Sequence, residues 1–337
     1  MKRLWIFRSN IRDLEYYHHL KGSHNFKHEC HDFYLQMGIH YLENGDFDEV
    51  VVWRLCHPGK TLPTKIYPYG NGEFKQCWVQ TFDVCALYDK PDMTFFRGGF
   101  KEYCNVTKKI KLLGTTLYCG TGQRVTPQYG GHYDKILVED ERDLQKVPDS
   151  VPFYKTAHPN IFKPVEATNK YDICWPANFT QNRYKGQEFF IRKISESEYL
   201  KSLKILHTGN KPEEGRRLCK KYGVKNIEFA GWLNRQKLNK RLNQSKFGLV
   251  CSNQRDGCPR IVTEILASGT PLLLRETTRL LDYFKSSSVY VFEDMNIESQ
   301  IKEAMDNYED FKSTTKNTRK LISMKFICDL NIKNWVA

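Results

Sequence analysis

The sequence has no apolar run long enough to cross a bilayer, which takes about 20 residues of helix. Its longest apolar stretch, residues 261–274, is interrupted by polar residues, glycine and proline. Near the N-terminus only four apolar residues, Leu4 to Phe7, stand between basic residues, far fewer than a secretory signal peptide needs. We therefore expect a cytoplasmic protein, with peripheral contact to a membrane left open.

Cysteine pairs at the spacing of metal or redox sites are also missing. The 11 cysteines are an odd number and include no Cys-x-x-Cys, which predicts reduced, packed thiols and no disulfide framework. One dense cluster contains His18, His19, His24, His28, Cys30 and His31. Two of these histidines have the spacing of helical metal ligands, but no second cluster accompanies them, so we favour histidines that bind no metal.

The composition excludes disordered and fibrous chains. Of the 337 residues, 40% are hydrophobic and 13% aromatic, with only 21 Gly and 13 Pro; this length predicts about two domains. The net charge is +13, with 22 basic and 19 acidic residues in 1–165 and 30 and 20 in 166–337. Such a basic chain favours an anionic partner, which leaves nucleic acid, acidic membranes and phosphorylated small molecules open.

Short β-rich runs alternate with helical patterns along the whole chain, which predicts βαβ units and parallel sheets. One series of predicted strands is Leu4–Phe7, Glu49–Arg54, Cys77–Thr81, Met93–Phe96, Lys111–Tyr118 and Lys135–Val138, with a helix over His31–Asn44. The other is Asp172–Trp175, Leu203–His207, Ile227–Phe229, Phe247–Cys251, Pro271–Leu274 and Val289–Phe292. The fold class expected is α/β, with two Rossmann-like, doubly wound domains facing a cleft.

The boundaries follow from the extended stretch Ala157–Pro164, whose prolines and asparagine are typical of a linker. We predict an N-terminal domain over 1–157, a linker over 158–170 and a C-terminal domain over 171–320. Residues 321–337 would form a last helix.

The most informative segment is 247–274, which reads as strand, loop, helix and strand. Its loop, Asp256 to Cys258, would present backbone N–H groups at a helix N-terminus, which favours a phosphate or a polyol. Seven residues separate Asp256 from Glu264. Asp256 could merely cap the helix and Glu264 could lie on the surface. Glu264, however, stands between apolar pairs, where an unpaired carboxylate is costly unless a ligand or partner uses it.

This segment resembles the retaining glycosyltransferases of the two-Rossmann GT-B fold, family 4 in particular (group 1). Their signature is an acidic residue, seven residues, Glu, and then Gly-Thr-Pro; here it is Asp256, Glu264 and Gly269–Pro271. Other elements of the family follow in the same order over residues 155–337: the crossover at 158–164, the helix opening Tyr184–Gly186, the glycine turn Leu206–Asn210, and the nucleobase-side turn Ile227–Leu233. The final segment, Phe326–Trp335, resembles the helix that crosses back onto the first domain.

The resemblance implies transfer of a sugar from a nucleotide sugar, a UDP- or GDP-sugar, to an acceptor hydroxyl with retention of configuration and without a metal or other cofactor. Glu264 would hold the ribose hydroxyls and Asp256 the transferred sugar. Lys185 with Arg183 would neutralise the diphosphate as it leaves. The other residues implied to approach the donor are Gly209, Trp232, Leu233, Gly257, Cys258, Pro259, Arg260 and Ile261. For Trp232, stacking on the base and ordinary packing both stay open.

The first acidic position departs from the family, because Asp256 is one methylene shorter than the usual Glu. Ala177–Phe179 stands where the family often has Gly-Arg, which makes Arg183 the alternative cation. In the N-terminal half, Gly98–Gly99 and His132 could approach a ligand or simply form turns. Asp46-Phe47-Asp48 precedes a strand, so we predict a solvated turn there and no metal site.

The acceptor and the alternatives stay open at this point. A glycan, a lipid-linked sugar, a protein or a hydroxymethylated DNA base would each supply a hydroxyl, and DNA would account for the positive charge. The competing interpretations are a DNA-modifying glycosyltransferase, a non-catalytic GT-B-like binding module, and a related sugar phosphorylase or nucleotide-sugar epimerase.

Overall fold

A computed structural model describes residues 1–8, 33–55, 65–69, 72–79, 85, 87–97, 114–119, 133–179, 184–254 and 259–336. The chain divides into two compact units. Unit 1 comprises Met1–Tyr154 together with Cys328–Ala337, and unit 2 comprises Lys155–Ile327.

Unit 1 is built on one mostly parallel sheet. Its strands are β1 (Arg3–Arg8), β2 (Glu49–Leu55), β3 (Lys65–Tyr69), β4 (Gly72–Val79), β5 (Met93–Arg97), β6 (Thr115–Cys119), β7 (Lys135–Val138) and β8 (Val151–Pro152). Within the described residues the strand order is β3-β4-β2-β1-β5-β6-β7-β8. Every neighbouring pair is parallel except β3 with β4 at one edge. The helices described before residue 155 are α1 (Phe33–Glu43) and α2 (Glu141–Lys146).

The core of unit 1 lies on both faces of this sheet. Leu4 and Ile6 on one face of β1 and Trp5 and Phe7 on the other are all buried, as expected for a covered parallel strand. Trp335 also belongs to this core: its ring centroid lies 5.7 Å from that of Phe95 and its side chain is 1% exposed.

Unit 2 has a second parallel sheet, with strands β9 (Tyr171–Pro176), β10 (Ile205–Thr208), β11 (Ile227–Phe229), β12 (Ser245–Val250), β13 (Leu272–Arg275) and β14 (Val289–Phe292). Their order is β11-β10-β9-β12-β13-β14, with every neighbouring pair parallel. Numbered along the unit, this is the 3-2-1-4-5-6 order of dinucleotide-binding folds. The order reverses between β9 and β12, and ligands bind at the carboxyl ends of the strands at such a point.

The helices of the second half are α3 (Gln187–Glu196), α4 (Glu198–Ser202), α5 (Pro212–Tyr222), α6 (Arg235–Asn243), α7 (Ile261–Ala267), α8 (Ile297–Asp306), α9 (Tyr308–Leu321) and α10 (Met324–Val336), with a 3-10 turn at Asp282–Phe284. Helix α10 begins in unit 2, and its residues from Cys328 onward belong to unit 1. The extended stretch after Lys155 belongs to unit 2. There the carbonyl of Lys163 accepts hydrogen bonds from Asn239 at 3.0 Å and Asn243 at 3.1 Å, both on α6.

Most predicted strands are confirmed to within one or two residues at each end. The strand predicted at Cys77–Thr81 is instead β4, which ends at Val79, and only Thr115–Tyr118 of the predicted Lys111–Tyr118 lies within a described strand. Edge strand β3 and the short β8 were not predicted. All seven cysteines that the structure describes are free and buried, as expected for packed thiols. Among the described residues, none of the helices has the length and apolarity that crossing a membrane requires.

Candidate donor site at the carboxyl ends of β9 and β12

Two loops meet where the strand order of unit 2 reverses. After β12, the backbone N–H of Asn253 donates to the carbonyl of Tyr184 at 2.8 Å. Gly186 caps the start of α3 with a φ of 75°, and a Cβ there would lie 1.9 Å from the carbonyl oxygen of Cys251. Only glycine fits this contact. The close approach places Lys185, the predicted diphosphate ligand, between the start of α3 and the loop after β12.

Glu264 is a buried carboxylate on the first turn of α7. Its side chain is 5% exposed, so the alternative of a surface residue is wrong. Nη1 of Arg235 forms an ion pair with Oε1 of Glu264, and Nε of Arg260 lies 3.5 Å from the same oxygen. The two guanidinium groups offset the desolvation of the carboxylate, which explains how an apolar helix accommodates it.

The turn after β10 contacts the residues that follow β9. Gly209 has a φ of +148°, and a Cβ there would lie 2.2 Å from the carbonyl oxygen of Ala177. Its backbone N–H donates to Gly231 at 2.8 Å, and the N–H of Asn210 donates to Oδ1 of Asn178 at 3.0 Å. These bonds bring the ends of β9, β10 and β11 together.

Trp232 projects from the turn after β11 with 71% of its side chain exposed. Ordinary packing, the alternative to base stacking, is therefore excluded for this residue. Leu233 beside it is half-buried, and Asn234 caps α6 by accepting from the N–H of Lys237 at 2.9 Å. An exposed indole beside a fixed helix start has the geometry to stack on a planar ligand.

Eight of the predicted donor residues are described, and all lie in unit 2: Lys185, Gly209, Trp232, Leu233, Pro259, Arg260, Ile261 and Glu264. The predictions that lie outside the described residues concern Arg183, Asp256, Gly257, Cys258, Gly98–Gly99, His132 and the cluster His18–His31. Asp48 precedes β2 and accepts from the N–H of Lys2, at the amino end of the sheet as predicted. Over the described residues, no group of three or more His, Cys, Asp or Glu could hold a metal.

The sequence analysis missed a polar cluster at the carboxyl ends of β5, β6 and β7 in unit 1. Nη1 of Arg97 lies 3.0 Å from Sγ of Cys119 and 3.2 Å from Oε1 of Glu139, and the hydroxyl of Tyr34 reaches the same carboxylate oxygen at 3.5 Å. Burial by itself would lower the pKa of Arg97, but attraction to Cys119, Glu139 and Tyr34 raises it well above its ordinary value. The arginine therefore remains charged inside the domain.

His207 on β10 is a second buried polar residue of unit 2. Its ring contacts those of Trp175, Phe179 and Phe229 at centroid distances of 5.0–5.2 Å. Neither ring nitrogen has a hydrogen-bond partner within the described part of the chain. Burial lowers the pKa of His207 to about 3, so the imidazole is neutral at physiological pH.

Comparison with known proteins agrees with this geometry. Residues 170–306 match the family model described as Glycosyl transferases group 1. This stretch of unit 2 is therefore similar to the group 1 glycosyltransferases. The matched range contains the whole candidate donor site, from Lys185 to Glu264. No curated protein matches the chain in sequence.

The fold of the chain is similar to that of solved structures over nearly its full length. A sucrose-phosphate synthase from Thermosynechococcus elongatus superposes with a TM-score of 0.66 at 11% identity, covering 99% of this chain and 98% of that one. The α,α-trehalose 6-phosphate synthase of Burkholderia multivorans gives 0.67 at 8% identity, covering 99% and 98%. The lipopolysaccharide outer core galactosyltransferase WaaB gives 0.63 at 11% identity, covering 100% and 99%. The expected class of two parallel-sheet α/β domains, GT-B, is thereby confirmed.

Proposed function

We propose that this chain transfers a sugar from a nucleotide sugar to an acceptor hydroxyl with retention of configuration, as family 4 enzymes do, and without a metal. The observation that supports this most directly is Glu264, a buried carboxylate on α7 beside the switch point of unit 2. It stands at the position that the glycosyltransferase signature reserves for its second acid. A hydrogen-bond acceptor there suits the hydroxyl groups of a ribose.

The remaining donor contacts follow from the same loops. Lys185, just before α3, and Arg183, two residues earlier in the sequence, would bind the diphosphate, while the helix N-termini would add backbone N–H groups. Trp232 and Leu233 would lie against the base of a UDP- or GDP-sugar. Asp256 would accept hydrogen bonds from the transferred sugar, and Gly257 to Ile261 would approach it with their backbone.

In the reaction, the bond between the anomeric carbon and the diphosphate oxygen breaks, and both electrons leave with the phosphate. Lys185 and Arg183 stabilise the charge that develops on that oxygen, which is the largest demand of the transition state. The acceptor hydroxyl attacks from the same face, and its proton passes to the departing phosphate oxygen. No metal is required where cationic side chains offset this charge.

For the acceptor, we propose a polyhydroxylated compound such as a glycan or a lipid-linked sugar, whose hydroxyl groups both donate and accept hydrogen bonds. We propose that the protein acts in the cytoplasm.

The test is a calorimetric titration with UDP, GDP and ADP and their glucose or mannose conjugates, followed by a turnover assay. We expect one nucleotide to bind the wild type, and Glu264→Ala to weaken it by about 10- to 100-fold, since a hydrogen bond to a charged group is worth roughly 1.5–3 kcal/mol. Glu213→Ala, an exposed carboxylate at the start of α5, is the control and should bind normally.

Three results would count against all or part of the proposal. If none of the nucleotides binds the wild type, the donor assignment fails. If a nucleotide sugar binds but is neither hydrolysed nor transferred, the chain is a binding module. Inversion of the anomeric configuration in a product would contradict the retaining mechanism alone.

A further inference from the structure

We propose that Arg235 is a positioning residue for the donor: it fixes Glu264 so that only one carboxylate oxygen, Oε2, is offered to a ribose hydroxyl. The inference rests on the function proposed above and deepens it. It assigns the preference for a ribonucleotide to a residue that lies outside the glycosyltransferase signature.

The ion pairs of Glu264 are asymmetric. Arg235 and Arg260 both contact Oε1. Among the residues that the structure describes, no donor reaches Oε2. A carboxylate only accepts hydrogen bonds, so this second oxygen is the position at which a hydroxyl of a ligand would donate.

Arg235 is held in place from more than one side. It is the first residue of α6, whose preceding Asn234 is fixed as the helix cap. Its guanidinium lies over the ring of Phe162, 5.9 Å from the centroid, and Phe162 is itself buried. With its side chain 31% exposed, Arg235 is anchored without being enclosed. Breaking the ion pair between Arg235 and Glu264 would therefore require α6 to move.

The position of Arg235 is unfavourable for the stability of helix α6 considered by itself. The N-terminus of a helix carries partial positive charge and favours acidic residues, yet the first turn of α6 contains no acidic residue. Because Arg235 opposes the helix dipole, the ion pair with Glu264 accounts for its position better than helix stability does.

Arg235 also connects two parts of the proposed donor site. It is three residues beyond Trp232, on the base-side turn, and it contacts α7, which bears Glu264. A ligand that stacks on Trp232 and donates a hydroxyl to Glu264 would span these two elements. Holding the distance between them is the task that we assign to Arg235.

The experiment compares ribose and deoxyribose ligands. Whichever of UDP, GDP or ADP binds the wild type is titrated beside its 2′-deoxy and 3′-deoxy analogues, by calorimetry. We expect the wild type to bind one deoxy analogue about 10-fold more weakly. Arg235→Met should lose most of that discrimination, and Arg235→Lys should keep part of it, because lysine retains the charge but not the planar guanidinium. Arg217→Met is the matched control: Arg217 is 67% exposed and forms an ion pair with Glu214, and its variant should discriminate as the wild type does.

A double-mutant comparison separates positioning from direct contact. If Arg235 acts through Glu264, the double variant Arg235→Met with Glu264→Gln binds no more weakly than Glu264→Gln alone. Additive losses, or an equal loss for ribose and deoxyribose ligands, would overturn the inference.

The outcomes also distinguish this inference from the proposed function. If Glu264→Gln abolishes discrimination while Arg235→Met keeps it, the inference fails and the donor site stands. If no nucleotide binds the wild type, the proposed function fails first, and this inference with it. Should Arg235→Met not fold, Arg235→Lys gives the answer: discrimination equal to that of the wild type would overturn the role of the guanidinium.

Discussion

Glu264 and His207 are two titratable side chains that unit 2 buries in opposite ways. Glu264 is paired with two guanidinium groups on one oxygen, whereas His207 is surrounded by aromatic rings and has no hydrogen-bond partner within the described residues. A buried charge is tolerated when it is paired, and an unpaired group stays neutral. His207 is therefore buried as a neutral imidazole.

We expect His207 to make unit 2 acid-sensitive. Its pKa is about 3 in the folded protein and about 6.5 when unfolded, so between these values the unfolded chain binds the proton first. Stability is complete above the unfolded pKa and falls as the pH drops toward 3; at pH 5 the loss is about 2 kcal/mol. His207→Phe should remove the part of this loss in unfolding free energy that comes from protonation of the histidine. The measurement is the urea midpoint of unit 2 at pH 7.5 and pH 5, and an identical decrease in both proteins would contradict the assignment.

For single residues, the local sequence predicted Glu264 as a site residue but did not predict that Arg235 pairs with it. Glu264 was identifiable because charged residues rarely stand among apolar neighbours on a helix. Arg235 comes 29 residues earlier, in a basic helix whose pattern indicates only a solvated face. Arg97 and Glu139 likewise meet only because β5 and β7 both lie next to β6. Such pairs depend on strand order, which periodicity alone does not supply.

The elements of unit 2 approach one another closely where glycines replace side chains. At Gly248 on β12, a Cβ would lie 2.5 Å from Ile265 on α7, so the helix bearing Glu264 packs directly on the strand. At Gly186, the backbone of α3 approaches the loop after β12. These contacts fix where Lys185 and Glu264 stand relative to the sheet of unit 2.

A substitution at Gly186 tests this arrangement. Gly186→Ala introduces a left-handed φ penalty of about 1 kcal/mol and, in addition, a clash with the carbonyl of Cys251. We expect a lower melting temperature and nucleotide binding weakened by about 10-fold or more. Gly223→Ala is the control, because Gly223 has a φ of +71° but nothing within 4 Å of a Cβ. Equal effects of the two substitutions would show that the close approach is unimportant.

The alternating pattern predicted most strands because parallel strands are covered on both faces and therefore apolar throughout. It failed for β3, whose sequence Lys-Ile-Tyr-Pro-Tyr includes Pro68. Proline removes a backbone donor and is tolerated mainly in edge strands. The position of β3 at the edge, antiparallel to β4, is consistent with this. A pattern that includes proline does not reveal whether the strand is absent or merely peripheral.

In the molecule as a whole, the buried Trp335 and the described donor residues belong to different units. Trp335→Ala should destabilise unit 1 by about 3–5 kcal/mol, because it empties a buried aromatic site. Nucleotide binding should persist, since the described donor residues all belong to Lys155–Ile327. Trp232→Ala should have the reverse effect: unchanged stability, because the side chain is 71% exposed, and weaker nucleotide binding.

Thermal unfolding with and without nucleotide distinguishes the two variants. The Trp335 variant should lose one transition and retain the shift that nucleotide produces, whereas the Trp232 variant should lose the shift and retain both transitions. Loss of the nucleotide shift on substitution of Trp335 would mean that donor binding requires an intact unit 1.

Unit 1 is assembled from two stretches that are far apart in the sequence. This determines which unit the ribosome finishes first. Unit 2 is one continuous stretch, whereas unit 1 needs Cys328–Ala337 in addition to its first 154 residues. Trp335, buried in the core of unit 1, is made only after all of unit 2. At about 5–20 residues per second, this tryptophan is made roughly ten to forty seconds after the strands of the first unit. The nascent chain therefore completes its second unit first, and its first unit is the last to acquire its whole core.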